Sequence, residues 1–220
     1  MHGGLPKAEL SKEDLAALKA GLPNMEKHIE NLNSFGVPVV VAINRFPTDT
    51  EQELEIVKNR CLVLGASFSL SEVWEKGGEG GRDLAEKVVA ACSRSNGFRY
   101  LYDADSSPRE KIETIAKKIY GAGDVQYTDA ADKDLANISA LGFDHLLVCM
   151  AKTQASISDD PAKVGRPDGF TLTVREVRIS AGAGFIVPIT GSIMTMPGLP
   201  KKPAAMIIDI DSEERITGLF

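Results

Sequence analysis

The chain is short of everything that would mark it as a membrane, secreted or nucleic-acid protein. No apolar run approaches the roughly 18 residues that would cross a bilayer, so no membrane span is expected. The amino terminus, Met1-His-Gly-Gly-Leu-Pro-Lys7, has no apolar core of the signal-peptide kind. Basic residues are in deficit: 25 Lys and Arg stand against 31 Asp and Glu, a formal charge of -6. That balance argues against a nucleic-acid or anionic-membrane partner. The three cysteines, Cys61, Cys92 and Cys149, are odd in number and far apart. The three histidines, His2, His28 and His145, do not cluster with them, so no metal spacing arises. Each cysteine sits in an apolar pattern, which predicts buried thiols in a reducing compartment such as the cytoplasm. Tryptophan occurs once, at Trp74. Neither the Walker A pattern nor the dinucleotide fingerprint occurs, and there is no internal repeat.

What is present suits a globular α/β chain. The 220 residues are 43% hydrophobic, enough for one large domain or one and a half small ones. The organising stretch is Val37 to Asp49. Its first seven residues are apolar and rich in β-branched side chains, the pattern of a parallel strand buried on both faces. Asn44-Arg45-Phe46-Pro47 follows. In open α/β sheets ligands bind just past the carboxyl ends of strands, which puts Phe46 and Pro47 on that edge.

Helical spacing runs from Leu15 to Leu32, with Ser11 expected as its cap and Pro23 expected to kink or split it. Thr48 to Glu51 can cap a second helix that ends at Gly65. Ala66 to Leu70 reads as a second strand. Helix, strand, helix, strand is a βαβ signature. The second strand leads through Ser71 to Trp74, then to Gly77-Gly78-Glu79-Gly80-Gly81. Phe46 and Trp74 therefore share one rim if the two strands are parallel neighbours. They could sandwich a flat heterocycle or simply pack loops. The glycines could meet phosphate through backbone N–H groups or form a turn before a helix at Arg82.

Further along, helices are predicted over 82–94, 108–120 and 128–141, and strands at 145–151, 170–179, 185–188 and 206–211. Lys152, at a strand's end, could meet an anion or be solvated. Asp159-Asp160 could touch a cation or form a surface turn. The expected division is 1–94, an α/β segment carrying the rim; 95–145, a small helical insertion; and 146–220, carboxyl-terminal strands with Gly/Pro-rich loops.

Several stretches in order give the chain a family likeness: Met1-His-Gly-Gly; Val39 to Thr50; Trp74 to Gly81; Cys149 to Gln154; Arg175 to Phe185; and Met194-Thr-Met-Pro-Gly-Leu-Pro200. Across essentially its whole length the sequence resembles the carboxyl-terminal part of formate–tetrahydrofolate ligase, in its bacterial monofunctional form. The resemblance implies a mixed, mostly parallel sheet with flanking helices, part of a P-loop-type α/β enzyme. It implies ATP (with Mg) and tetrahydrofolate as small-molecule substrates, 10-formyltetrahydrofolate as product by way of formyl phosphate, a possible monovalent cation, and a cytoplasmic homotetramer. By the same resemblance the pterin stacks between Phe46 and Trp74, with Pro47, Leu70 and Ser71 as neighbours. Met196, Pro197 and Gly198 fall on the nucleotide side.

The chain departs from the family pattern in one respect. The family's P-loop and the lysine and arginine that hold formyl phosphate lie upstream, and Met1 matches an internal methionine. The chain is thus expected to carry no catalytic residue of its own and to need an amino-terminal P-loop half in cis or in trans. A stand-alone folate-binding module and a non-functional fragment are the alternatives.

Overall fold

The computed structural model describes residues 1–193 and 202–218. The architecture is mixed α/β, as expected, and most strand pairings are parallel. Helix α1 (Leu15–Ser34) leads into strand β1 (Val40–Asn44); helix α2 (Glu51–Val63) leads into strand β2 (Ser67–Ser71). The two strands pair in parallel, with Asn44 opposite Ser71. Two short turns, one of them α3 (Val73–Lys76), precede α4 (Arg82–Cys92). The second half contains α5 (Pro108–Ile115), β3 (Asp124–Tyr127), α6 (Asp129–Ala140), β4 (Leu147–Val148), β5 (Thr171–Ser180) and β6 (Phe185–Thr190). Its four strands lie in the order β3-β5-β6-β4, with β5 and β6 antiparallel and the outer pairs parallel. A two-stranded hairpin, β7 (Asp209–Ile210) with β8 (Ile216–Thr217), closes the described residues.

Capping chemistry sets the helix starts. Asp14, not Ser11, caps α1: its Oδ1 accepts from the Ala17 N–H at 2.8 Å. Thr50 and Glu53 form a reciprocal capping box on α2, and Ser107 and Glu110 another on α5. Pro23 does not split α1, which continues through it as one element. A proline removes one helical hydrogen bond. Here Leu18 and Leu22 before it and Met25 and Ile29 after it pack on the same core, which also holds Val39, Val57 and Cys61. Burial of that stripe on both sides of the break keeps the helix whole.

Two further expectations are corrected, for β1 and for the cysteines. Strand β1 is not buried on both faces, since Ala42 and Asn44 are exposed in a sheet of only two strands. Of the cysteines only Cys61 is buried; Cys92 and Cys149 are exposed. The 95–145 stretch holds its two helices and, between them, β3, which pairs with β5. Residues of both helices join Val148, Val174, Val177 and Ile186 in one core. The mixed faces of β5 come from a bulge: Val174 pairs with Thr190 and Glu176 with Ile189, leaving Arg175 extra. The extra residue puts Val174 and Val177 on the same core. The disturbed backbone is satisfied from outside the ladder. Thr128 Oγ1 donates to the Arg175 carbonyl at 2.6 Å, and the Val177 N–H donates to Asp134 Oδ2 at 3.0 Å.

One lysine is part of the core. Lys111 is fully buried, and its Nζ donates to the carbonyls of Asp144 at 2.7 Å and Leu146 at 3.1 Å. Burial lowers its pKa, opposed by Asp144 and, more weakly, Asp105 and Asp103. The ammonium ties α5 to the turn before β4. Lys111→Met strands two buried carbonyls at about 1–3 kcal/mol each, less the relief of no longer burying a charge. We expect a net loss of roughly 2 kcal/mol, read as a lower urea midpoint at unchanged slope.

Candidate functional site

The parallel register of β1 and β2 builds the candidate site. Both strands end at the same level, so the residues after Asn44 and after Ser71 emerge side by side. The Arg45 N–H donates to the Ser71 carbonyl at 3.1 Å, continuing the ladder one step past the strand. Chain β1 then turns sharply. The Phe46 N–H donates to Asp49 Oδ2 at 2.8 Å, and the Asp49 N–H donates back to the Phe46 carbonyl at 3.0 Å. This turn presents Phe46 and Pro47 outward. Phe46 is 61% exposed and Trp74 58%, which is unusual for the chain's only tryptophan.

Trp74 is held although it is exposed. Its indole Nε1–H donates to the Arg45 carbonyl at 2.9 Å, the oxygen of the same peptide unit that supplies the Phe46 N–H. Among the described residues neither ring stacks on another aromatic; the ring pair present is Phe98 with Tyr100. Both rings therefore keep free faces. Ser71 and Leu70 are half-buried behind them. Leu70 also lines a cleft of about 760 Å³ along β2, together with Ser69, Glu72, Lys76 and Asp83. Phe46 and Trp74 stand on the rim outside its walls. The structure thus brings Phe46, Pro47, Leu70, Ser71 and Trp74 to one end of the two-stranded sheet. Met196, Pro197 and Gly198 lie outside the described residues.

A charged network locks the rim. Arg45 pairs with Glu51 at 2.7 Å and with Glu72 at 3.4 Å, and Glu72 also pairs with Lys76 at 2.7 Å. The Lys76 hydrogen bond, then the Arg45 charge, holds the Glu72 carboxyl below its ordinary range. Behind it, Ser69 donates to Asp83, whose carboxyl is likewise held low by Lys87 first and Ser69 second. Sequence reasoning gave neither Arg45 nor Glu72 a role. The available signal was their position, each a charged residue set between a strand end and an aromatic.

Other candidates resolve into turn chemistry. Gly77 to Gly81 forms a tight turn in which the Glu72 N–H donates to the Gly80 carbonyl at 3.0 Å. A Cβ on Gly80 would lie 2.4 Å from the Glu72 carbonyl oxygen, so the residue has to be glycine for this approach. Asp159 accepts from the Thr173 N–H and Asp160 from the Ala162 N–H, both at 2.9 Å. Lys152 is neither solvated nor free: its Nζ donates to the carbonyls of Thr153, Ser156 and Ser158. Among the described residues no group of three His, Cys, Asp or Glu is placed to hold a metal, and no helix is long and apolar enough to cross a membrane.

Comparison with known families places the whole chain. A sequence model described as Formate–tetrahydrofolate ligase matches residues 1–220. The chain belongs to that family. The ligase family joins formate to tetrahydrofolate, with ATP as the other substrate implied, so a flat heterocyclic substrate is part of its chemistry.

The rim network has a measurable pH signature. A carboxyl whose pKa is lowered on folding contributes stability at high pH and loses it as pH falls through the folded value. Trp74 emission should therefore stay constant from neutral pH down to 4.5, the ordinary glutamate value, and change only below it as Glu72 releases Lys76 and Arg45. In Glu72→Gln the low-pH emission should already be present at neutral pH.

Proposed function

We propose that the chain is the carboxyl-terminal part of an ATP-dependent ligase that forms 10-formyltetrahydrofolate through formyl phosphate, and that it supplies the folate-stacking site. One observation carries the reading: two exposed aromatic rings follow the carboxyl ends of two adjacent parallel strands, one anchored to the peptide of the other by Trp74 Nε1 and the Arg45 carbonyl. A pterin is flat and carries polar edges. Stacked between Phe46 and Trp74 it loses apolar surface to both rings, while Pro47, Leu70 and Ser71 close the space behind it.

The chemistry divides between two halves. Formate is a poor acyl donor because its carboxylate oxygen is a poor leaving group. Phosphorylating that oxygen creates a mixed anhydride, and the folate amine displaces phosphate from it. Phosphoryl transfer needs phosphate-binding backbone and cationic groups. No P-loop pattern occurs in these 220 residues, so that work falls to an amino-terminal half in cis or in trans. This chain holds the pterin and so places the amine. Met196, Pro197 and Gly198 are assigned to nucleotide binding in the same reading. The assembled protein is then a cytoplasmic tetramer, and the chain alone binds folate without turning it over.

Intrinsic fluorescence tests the stacking directly, because Trp74 is the only source of tryptophan signal. Tetrahydrofolate should quench it saturably after inner-filter correction. Phe46→Ala, which keeps the reporter, should weaken binding by about tenfold, within the roughly 1–3 kcal/mol of aromatic stacking. Trp74→Ala, followed by calorimetry, should do the same while leaving the fold intact by circular dichroism. A folded chain with no quenching sinks the stacking site. Formation of 10-formyltetrahydrofolate by the purified 220-residue chain would contradict the division of labour.

A further inference from the structure

A second cavity, of about 350 Å³, shares no residue with the aromatic rim and opens at the seam between the two halves. Helix α1 gives it Asn24, His28 and Asn31. The amino-terminal turn adds His2, the segment after β4 adds Lys152, and the helical turn after α5 adds Tyr120. No carboxylate side chain lines it. Three basic groups thus converge on one half-enclosed space in a chain whose net charge is -6.

The hydrogen-bond inventory of these groups is uneven. Lys152 spends its protons on three loop carbonyls, yet its positive charge stays at the wall, 5.3 Å from the centroid of the Tyr120 ring. The His2 Nδ1 accepts from the Gly165 N–H at 3.0 Å, so the neutral ring carries its proton on Nε2. His28 makes no hydrogen bond among the described residues. Burial first, then the charges of His2 and Lys152, pushes its pKa below the usual range. Asn31 Nδ2 donates to the Ile119 carbonyl at 3.0 Å, while its Oδ1 is buried with no partner. The site therefore offers imidazole donors and a fixed positive charge, together with one acceptor that lacks a proton.

That combination selects an anion with a hydrogen on it. Ionised carboxylates and sulfate carry only acceptor oxygens at neutral pH and leave Asn31 Oδ1 unmet. Hydrogen phosphate has oxygens for the imidazoles and a P–OH for Asn31; a monoester, whose second ionisation lies at about pH 6, offers that P–OH as its monoanion. To present the buried oxygen, the Asn31 amide turns and exchanges its hydrogen bond to the Ile119 carbonyl for one from the ligand. We propose that this cavity is a binding site for a phosphate group bearing a hydrogen, free or as a monoester. Its lining includes none of Phe46, Pro47, Leu70, Ser71 and Trp74, so it is separate from the Phe46–Trp74 rim and independent of its function.

The test uses the full chain with its three histidines labelled at the imidazole ring and assigned by His→Gln replacement at each. Inorganic phosphate, phenyl phosphate and sulfate are titrated at constant ionic strength, their affinities being compared at about pH 6, where a monoester still carries its hydrogen in part. Either phosphate should shift the His28 and His2 signals saturably and raise the His28 titration midpoint by about one pH unit, since a bound anion favours imidazolium. The tighter of the two identifies the source, while exposed His145 stays put. Sulfate should bind at least tenfold more weakly. Asn31→Asp, nearly isosteric, should lose phosphate affinity at least tenfold. Should it fail to fold, Asn31→Leu, which removes the acceptor, should bind phosphate and sulfate equally. No movement of His28 with either phosphate, or equal binding of sulfate, overturns the proposal.

Discussion

Helix α1 has to satisfy two neighbours of opposite polarity at once, and both halves of the molecule depend on its doing so. One side carries Leu18, Leu22, Met25 and Ile29 into the core beneath β1 and β2. The other presents Asn24, Lys27 and Asn31, which donate to the carbonyls of Gly165, Lys118 and Ile119 at 2.8–3.0 Å, and Glu30, which holds Arg166 in a two-point pair at 2.7 Å. Hydrogen bonds fix direction where apolar contact fixes only proximity. The first half therefore sits on the second in a defined orientation without a shared apolar core.

The same helix delivers the aromatic rim. Five residues separate its end from β1, so the position of α1 sets where β1 starts and, just past Asn44, where Arg45 leaves the sheet. The parallel register then carries that position across to Ser71 and Trp74. A rim assembled in this way tolerates exposed rings, because their places are set by backbone pairing and one indole hydrogen bond rather than by their own burial.

Much of this was legible along the chain. Apolar runs gave the strands, capping residues gave the start of α2, and two aromatics just past two strand ends marked the rim. The misses share a cause. Strand β3 has only Val125 and Tyr127 as half-buried residues, and it exists because β5 offers it an edge. The bulge at Arg175 depends on the register of β6. Pro23 looked like a break because its local cost was visible and the packing on either side was not. Lys111 drew no expectation, and Lys152 was left between an anion and solvent, because the carbonyls that hold them come from loops and turns without any pattern of their own. Local chemistry is written in the sequence, whereas the choice of distant partner is not.

The carbonyls around Lys152 have a consequence for ionic conditions. Three backbone oxygens aimed at one point are also how proteins hold monovalent metal ions, which exchange with the medium and vary in occupancy with its composition. Here the occupant is an ammonium joined to the chain by its own side chain, so its local concentration never falls. The loop from Thr153 to Ser158 keeps its shape in sodium, potassium or neither, and the order of the seam is set at synthesis rather than by the salt around it.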